Sequence, residues 1–183
     1  PWPKEMDEWT HWRHGADGNP VSGDSWIGAP NSLRWISGPL WPHNQSYDEL
    51  LTAVSAHGRN FYVQRLFDSR TGASRAEYGL VARDAFNGLF LWQTNMVPGA
   101  GGLVAAGDRV YIGGNPVRVL DAATGAPLPS YSPGGSVLYV DGMLVGLGGG
   151  GGAAIGSGIR AATGRNERAI RNADGSVYGG LVT

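Results

Sequence analysis

Val81-Ala82-Arg83-Asp84-Ala85-Phe86-Asn87-Gly88-Leu89-Phe90-Leu91-Trp92 is the stretch that decides the reading of this chain. Apolar residues run up to an acidic corner, the corner closes on a glycine, and an indole follows. The order returns as Val119-Leu120-Asp121-Ala122-Ala123-Thr124-Gly125, with Asp84 to Asp121 and Gly88 to Gly125 both 37 residues apart. A fainter echo, Ile159-Arg160-Ala161-Ala162-Thr163-Gly164, places its glycine 39 residues after Gly125. The corner has a physical logic. An Asp carboxylate accepts N–H groups two and three residues on, and glycine supplies the positive φ that turns the chain back.

A second element repeats alongside the first. Gly58-Arg59-Asn60-Phe61-Tyr62-Val63 aligns with Gly107-Asp108-Arg109-Val110-Tyr111-Ile112. Asp141-Gly142-Met143-Leu144-Val145 is a looser copy, and Gly175-Ser176-Val177-Tyr178 a fourth. Leu66 to Tyr78 reads as an insertion in the first full unit. Short β-branched and aromatic strands at a period of about 35–40 residues are the signature of a propeller blade. The near-continuous apolar runs Gly102–Ala106 and Arg109–Ile112 suit strands covered on both faces. One such sheet cannot bury both faces alone, so its stability must come from its neighbours.

Composition agrees. The chain has 183 residues, 31 of them glycine and 11 proline, with seven Trp and seven Tyr. That glycine and proline content is about twice the ordinary level and favours turns over long helices. A charged fraction of 16% beside many aromatics opposes disorder. The net charge of −1 gives no basic field for nucleic acid. The absence of cysteine excludes disulfides, thiolate metal sites and a Cys nucleophile. No run of 18 apolar residues predicts a transmembrane helix. The sequence opens on Pro1 without a basic-then-apolar leader, so a signal peptide is expected to be removed or to lie outside it.

Residues 1–46 read as an irregular Trp/Pro-rich lead-in whose aromatics pack on something larger, with a short strand at Leu33-Arg34-Trp35-Ile36. Residues 47–183 read as blades, at about 47–100, 101–134 and 135–170, with another starting from 171. Ser46-Tyr47-Asp48-Glu49 has capping-box form and allows a helix at 47–56. The competing reading, a strand from Leu50 to Ala56 turned at His57-Gly58, is preferred because Asn60–Val63 follows at hairpin distance. The predicted fold class is all-β: a partial β-propeller of about four blades, each a four-stranded antiparallel sheet.

Ala82-x-Asp84-x-x-Asn87-Gly88-x-x-x-Trp92 resembles the tryptophan-docking motif of the quinoprotein-type β-propellers, the PQQ-like repeat, and departs from it only at Asn87. The second copy keeps Asp121, Thr124 and Gly125 but has Val119 for Ala and Pro129 for Trp. The third keeps Thr163 and Gly164, with Arg160 and Arg168 at the Asp and Trp positions. The lead-in Trp9-x-x-Trp12-Arg13-His14 and Leu33-Arg34-Trp35 are similar to the first segment of many such propellers, and the resemblance spans about residues 8–183. It implies that Trp92 packs across a blade interface onto a neighbour's glycine turn, as structural glue.

Catalytic members of that family are alcohol or sugar dehydrogenases that use PQQ and calcium. The resemblance implies about eight blades, a vicinal Cys pair or its equivalent, and carboxylate and Asn ligands for the metal. This chain has no Cys and under five blade lengths, and no catalytic position carries over. The expectation is a non-catalytic protein-interaction or assembly scaffold without cofactor. Its partner would be another protein or the remaining blades of a larger propeller. The resemblance places it in the periplasm, the cell envelope or the secreted fraction. Part of a PQQ- and Ca-dependent dehydrogenase is the first alternative. A carbohydrate- or peptide-binding module using the Trp-rich lead-in is the second.

Other candidates carry less. His11, His14, His43 and His57 lack zinc-site spacing. Asp17, Asn19 and Asp24 are oxygen donors in a loop without the EF-hand pattern and read as an Asx-turn loop. The run Gly148–Gly152 matches phosphate-loop spacings only because any glycine run does, and reads as a loop within the third blade. Gly156-Ser157-Gly158 lacks the flanks of a nucleophile elbow.

Overall fold

The structure is a computed structural model that describes residues 3, 5–26, 28, 30–36, 50–67, 74–96, 102–131, 135–148, 155–160, 166–167, 169–171 and 177–181. His43, Thr163, Gly164, Arg168 and Gly149–Gly152 lie outside them.

Among the described residues every regular element is a strand. The first sheet holds β1 (Leu50–Ala56), β2 (Arg59–Phe67), β3 (Ser74–Asp84) and β4 (Phe90–Met96). The second holds β5 (Leu103–Ala106), β6 (Arg109–Ile112), β7 (Val117–Asp121) and β8 (Pro127–Tyr131). The third holds β9 (Ser136–Val140), β10 (Met143–Gly148), β11 (Ile155–Arg160) and β12 (Asn166–Glu167). A hairpin of β13 (Ala169–Arg171) and β14 (Val177–Leu181) follows. Each sheet is an antiparallel meander in chain order. Residues 50–56 are thus a strand, not a helix. Leu66 to Tyr78 lengthens the β2–β3 hairpin, whose pairing runs out to Phe67 and Ser74.

The first strands of successive sheets lie side by side, β1 by β5 and β5 by β9. Alternation along the second sheet sends its side chains both ways. Leu103, Ala105, Val110, Ile112, Leu120 and Ala122 meet Val54, Phe61, Val63, Leu80, Ala82 and Trp92 of the first sheet. Val104, Ala106, Tyr111, Val117 and Val119 meet Val137 and Leu144 of the third. Meanders stacked face to face, with first strands adjacent, are the blades of a partial β-propeller.

The hairpin turns correct one detail of the sequence repeat. Ala56 pairs with Arg59 across His57-Gly58, Ala106 with Arg109 across Gly107-Asp108, and Val140 with Met143 across Asp141-Gly142. Gly58 is the second residue of its turn and Gly107 the first of its own, so aligning the glycines slips the strands by one. Arg59 faces Asp84 and Arg109 faces Asp121, which makes Phe61 the counterpart of Tyr111. A slip of one residue exchanges the two faces of a strand. The sequence does not mark the slip, because β6 buries Tyr111 on one face and Val110 and Ile112 on the other.

Candidate functional site

Both acidic corners are built alike. At the first, Asp84 Oδ1 accepts the N–H groups of Phe86 (2.9 Å) and Asn87 (3.0 Å). At the second, Asp121 Oδ1 accepts those of Ala123 (3.1 Å) and Thr124 (2.8 Å), and the Thr124 hydroxyl (2.7 Å). These bonds hold the Asp121 carboxyl below its usual range; the Thr124 hydroxyl is the largest cause. Gly88 N–H and Gly125 N–H return to the carbonyls of Asp84 and Asp121. Each corner is tied to the hairpin turn of its own sheet, because Ala85 N–H donates to Gly58 O and Ala122 N–H to Asp108 O. Asn87 stands in for the usual Thr without disturbing the loop. Its Oδ1 accepts Leu89 N–H (2.8 Å), as Thr124 Oγ1 accepts Ala126 N–H (3.3 Å).

The first sheet's indole closes on the second sheet's corner. Trp92, opposite Ala82 on the neighbouring strand, donates Nε1–H to Ala122 O at 3.0 Å and is buried. Its ring lies flush against Gly125, where φ is +72° and a Cβ would come within 2.7 Å of Trp92 Cδ2. Phe61 supports the indole, with ring centroids 5.8 Å apart. Asp84, Asn87 and Gly88 form the first sheet's own corner, whereas Ala82 lies beside Trp92 in the core shared with the second sheet. Trp92, Asp121, Thr124 and Gly125 come together at the next corner.

A second indole does the same one sheet earlier. Trp35 donates Nε1–H to Ala85 O at 3.2 Å, and its Cε3 and Cδ2 lie 2.5 and 2.6 Å from the place of a Cβ on Gly88, where φ is again +72°. The strand expected at Leu33-Arg34-Trp35-Ile36 does not form; the backbone there is irregular. Leu33 and Ile36 are 80% and 77% exposed, so the indole, not a ladder of hydrogen bonds, fixes the segment. Trp35→Ala is expected to lower stability by about 1–3 kcal/mol, read from urea midpoints, because the ring is only partly buried.

Among the described residues no indole packs between the second and third sheets. Leu128 stands opposite Val119, as Trp92 stands opposite Ala82, and packs at this interface, while Pro129, the Trp position by sequence spacing, is exposed. Tyr111 and Tyr139 stack there instead, centroids 5.8 Å apart. Arg160 occupies the register position of the two Asp residues, opposite Met143.

The histidines serve the lead-in. His11 and His14 exchange main-chain hydrogen bonds, and His14 Nε2 donates to Asp7 Oδ2 at 2.6 Å. Asp7 also accepts Ser22 Oγ–H and the N–H groups of Gly23 and Glu8, which hold its carboxyl low against the opposing push of desolvation. His57 N–H donates to Glu8 Oε1 at 2.7 Å. Asp17 and Asp24 cap the local N–H groups of Asn19 and Trp26. Among the described residues no three His, Asp or Glu side chains gather as a metal-binding group. No helix among the described residues is long and apolar enough to cross a membrane.

No family model matches the sequence, and no curated protein matches it. Among solved structures, BamB from Moraxella catarrhalis is similar at 20% identity and a TM-score of 0.37, over 66% of this chain and 49% of that one. The chain spans about half the length of that structure.

Proposed function

We propose that this chain is part of a non-catalytic β-propeller of the PQQ-like type and serves as a protein-interaction or assembly scaffold. The observation that carries this reading is the repeated indole contact, Trp35 on Gly88 and Trp92 on Gly125, made with the same ring atoms and the same carbonyl bond. Residues that carry the family resemblance are spent on joining sheets. The surface left for a partner is apolar: Phe86, Leu89, Phe90 and Leu91 are exposed on and beside β4, the outer strand of its sheet. Such an edge suits strand addition by another protein or by further blades. The family resemblance favours an envelope, periplasmic or secreted setting.

Titration of the chain with PQQ and Ca²⁺, followed by tryptophan fluorescence and dye-coupled alcohol oxidation, is expected to show neither saturable binding nor turnover. Saturable binding with turnover would replace the scaffold by a dehydrogenase. Exposed Trp12 and Trp26, at 56% and 66%, favour a second reading as a carbohydrate- or peptide-binding module. Glycan-array binding abolished by Trp12→Ala in a folded chain would establish it.

A further inference from the structure

We propose that Trp9–His11 is an axial staple joining the inner strands of all three sheets, and that its third attachment holds only while the His11 imidazole is neutral, so that acid frees the third sheet. β1, β5 and β9 each form one edge of their sheet. Edge strands leave N–H groups without ladder partners. Three consecutive residues of the lead-in take one from each sheet. Ser55 N–H donates to Trp9 O at 2.7 Å, and Ala105 N–H to Thr10 O at 3.0 Å. Tyr139 N–H donates to His11 Nε2 at 3.0 Å. Glu8 extends the series to the β1–β2 turn through His57 N–H.

The first two acceptors are carbonyls, which do not titrate. The third is a ring nitrogen. His11 is 6% exposed, and its bonds fix the tautomer. Nδ1 lies 2.8 Å from Thr10 Oγ1, whose hydroxyl donates to His14 O at 3.3 Å. The Thr oxygen therefore receives the Nδ1 proton, and Nε2 is left bare to accept from Tyr139. Protonation would set an Nε2–H against the Tyr139 N–H, two donors facing each other.

The surroundings set the direction. Burial pushes the His11 pKa below its ordinary value, and Asp17 opposes that by favouring the cation. His14 beside it is engaged by Asp7. From the third sheet Tyr139 presents its amide, with its ring on Tyr111, whose hydroxyl burial pushes up to about 12 and keeps neutral throughout; Arg109 acts on Tyr111. β1 and β5 present the uncharged Ser55 and Ala105. With the folded value below the unfolded one, the unfolded chain binds more protons between them. Stability from this group is complete above about 6.5 and is lost as pH falls through the folded value.

Amide hydrogen exchange on the whole chain, resolved by NMR from pH 7.5 to 5 and corrected for intrinsic rates, tests this. Protection of Tyr139 is expected to fall at least about tenfold, with the midpoint at which the His11 ring titrates, while Ser55 and Ala105 stay protected. In His11→Gln, whose side-chain amide can offer an acceptor that does not titrate, the Tyr139 protection should not change with pH. Unchanged Tyr139 protection in the wild type while His11 titrates would overturn the proposal, as would parallel loss at all three amides. Ring nitrogen shifts of the wild type add a reading that needs no variant. A bare Nε2 at neutral pH supports the staple, and a protonated one overturns it.

Discussion

Trp92→Ala is expected to destabilise the chain by about 3–5 kcal/mol, the range for truncating a buried aromatic ring. The ring is 8% exposed, wedged between Phe61 of its own sheet and the Gly125 corner of the next. An indole of this kind buries roughly 150–250 Å². Its loss also strips the Ala122 carbonyl of the Nε1–H bond at a residue that is 2% exposed, and an abandoned buried acceptor costs about 1–3 kcal/mol of its own. The cavity would open between two sheets that each lack the means to bury a face alone, so neighbouring contacts weaken with it. Chemical denaturation should show the midpoint falling with little change in slope. Trp92→Phe separates the two contributions, because a phenyl ring keeps much of the stacking and loses the hydrogen bond. It should fall between the alanine variant and the wild type. Trp12→Ala is the surface control, with a change within about 0.5 kcal/mol expected at a ring that is 56% exposed.

The parts of the fold that could be read in advance were those with a strict local cause. Asp-x-x-Asn/Thr-Gly announces itself because only a short acidic side chain and a glycine satisfy that corner, and both corners form with the same bonds. The near-continuous apolar runs of β5 and β6 announce a sheet covered on both sides, and both sides are covered. Trp35 was harder to place. Gly88 follows it by 53 residues, whereas Gly125 follows Trp92 by 33. Asp24 and Gly28 precede it by 11 and 7 residues, whereas Trp92 follows Asp84 and Gly88 by 8 and 4, so the indole stands outside the spacing of the motif. The pairing Trp35–Gly88 exists only once the chain is folded. The lead-in offered even less signal. Trp9 and Thr10 contribute main-chain carbonyls, which every residue has, so nothing in their side chains foretells the contacts with Ser55 and Ala105. His11 reads as a polar residue among aromatics; its role depends on a strand 128 residues away.

Gly125→Ala is expected to cost about 2–4 kcal/mol, from two separable sources. At φ +72° an L residue is strained by roughly 1–2 kcal/mol. The added methyl would also sit 2.7 Å from Cδ2 and 2.8 Å from Cε3 of Trp92, and forcing a methyl into a packed contact costs about 1–3 kcal/mol. Two comparisons divide these. Gly142 has φ +78° with nothing within 4 Å of its would-be Cβ, so Gly142→Ala should report the backbone strain alone. In a Trp92→Ala background the overlap is gone, and Gly125→Ala should fall to the cost seen at Gly142. The resulting coupling between positions 92 and 125 is expected at about 1–3 kcal/mol by double-mutant cycle. Gly88→Ala meets an equally close ring, with Trp35 Cε3 at 2.5 Å. Trp35 is only half-buried and belongs to an irregular segment, so it can tilt away. Its penalty should therefore lie nearer that of Gly142 than that of Gly125. A Gly125→Ala variant no weaker than Gly142→Ala would mean that the indole slides freely on the corner, and that the two sheets are held by their apolar faces alone.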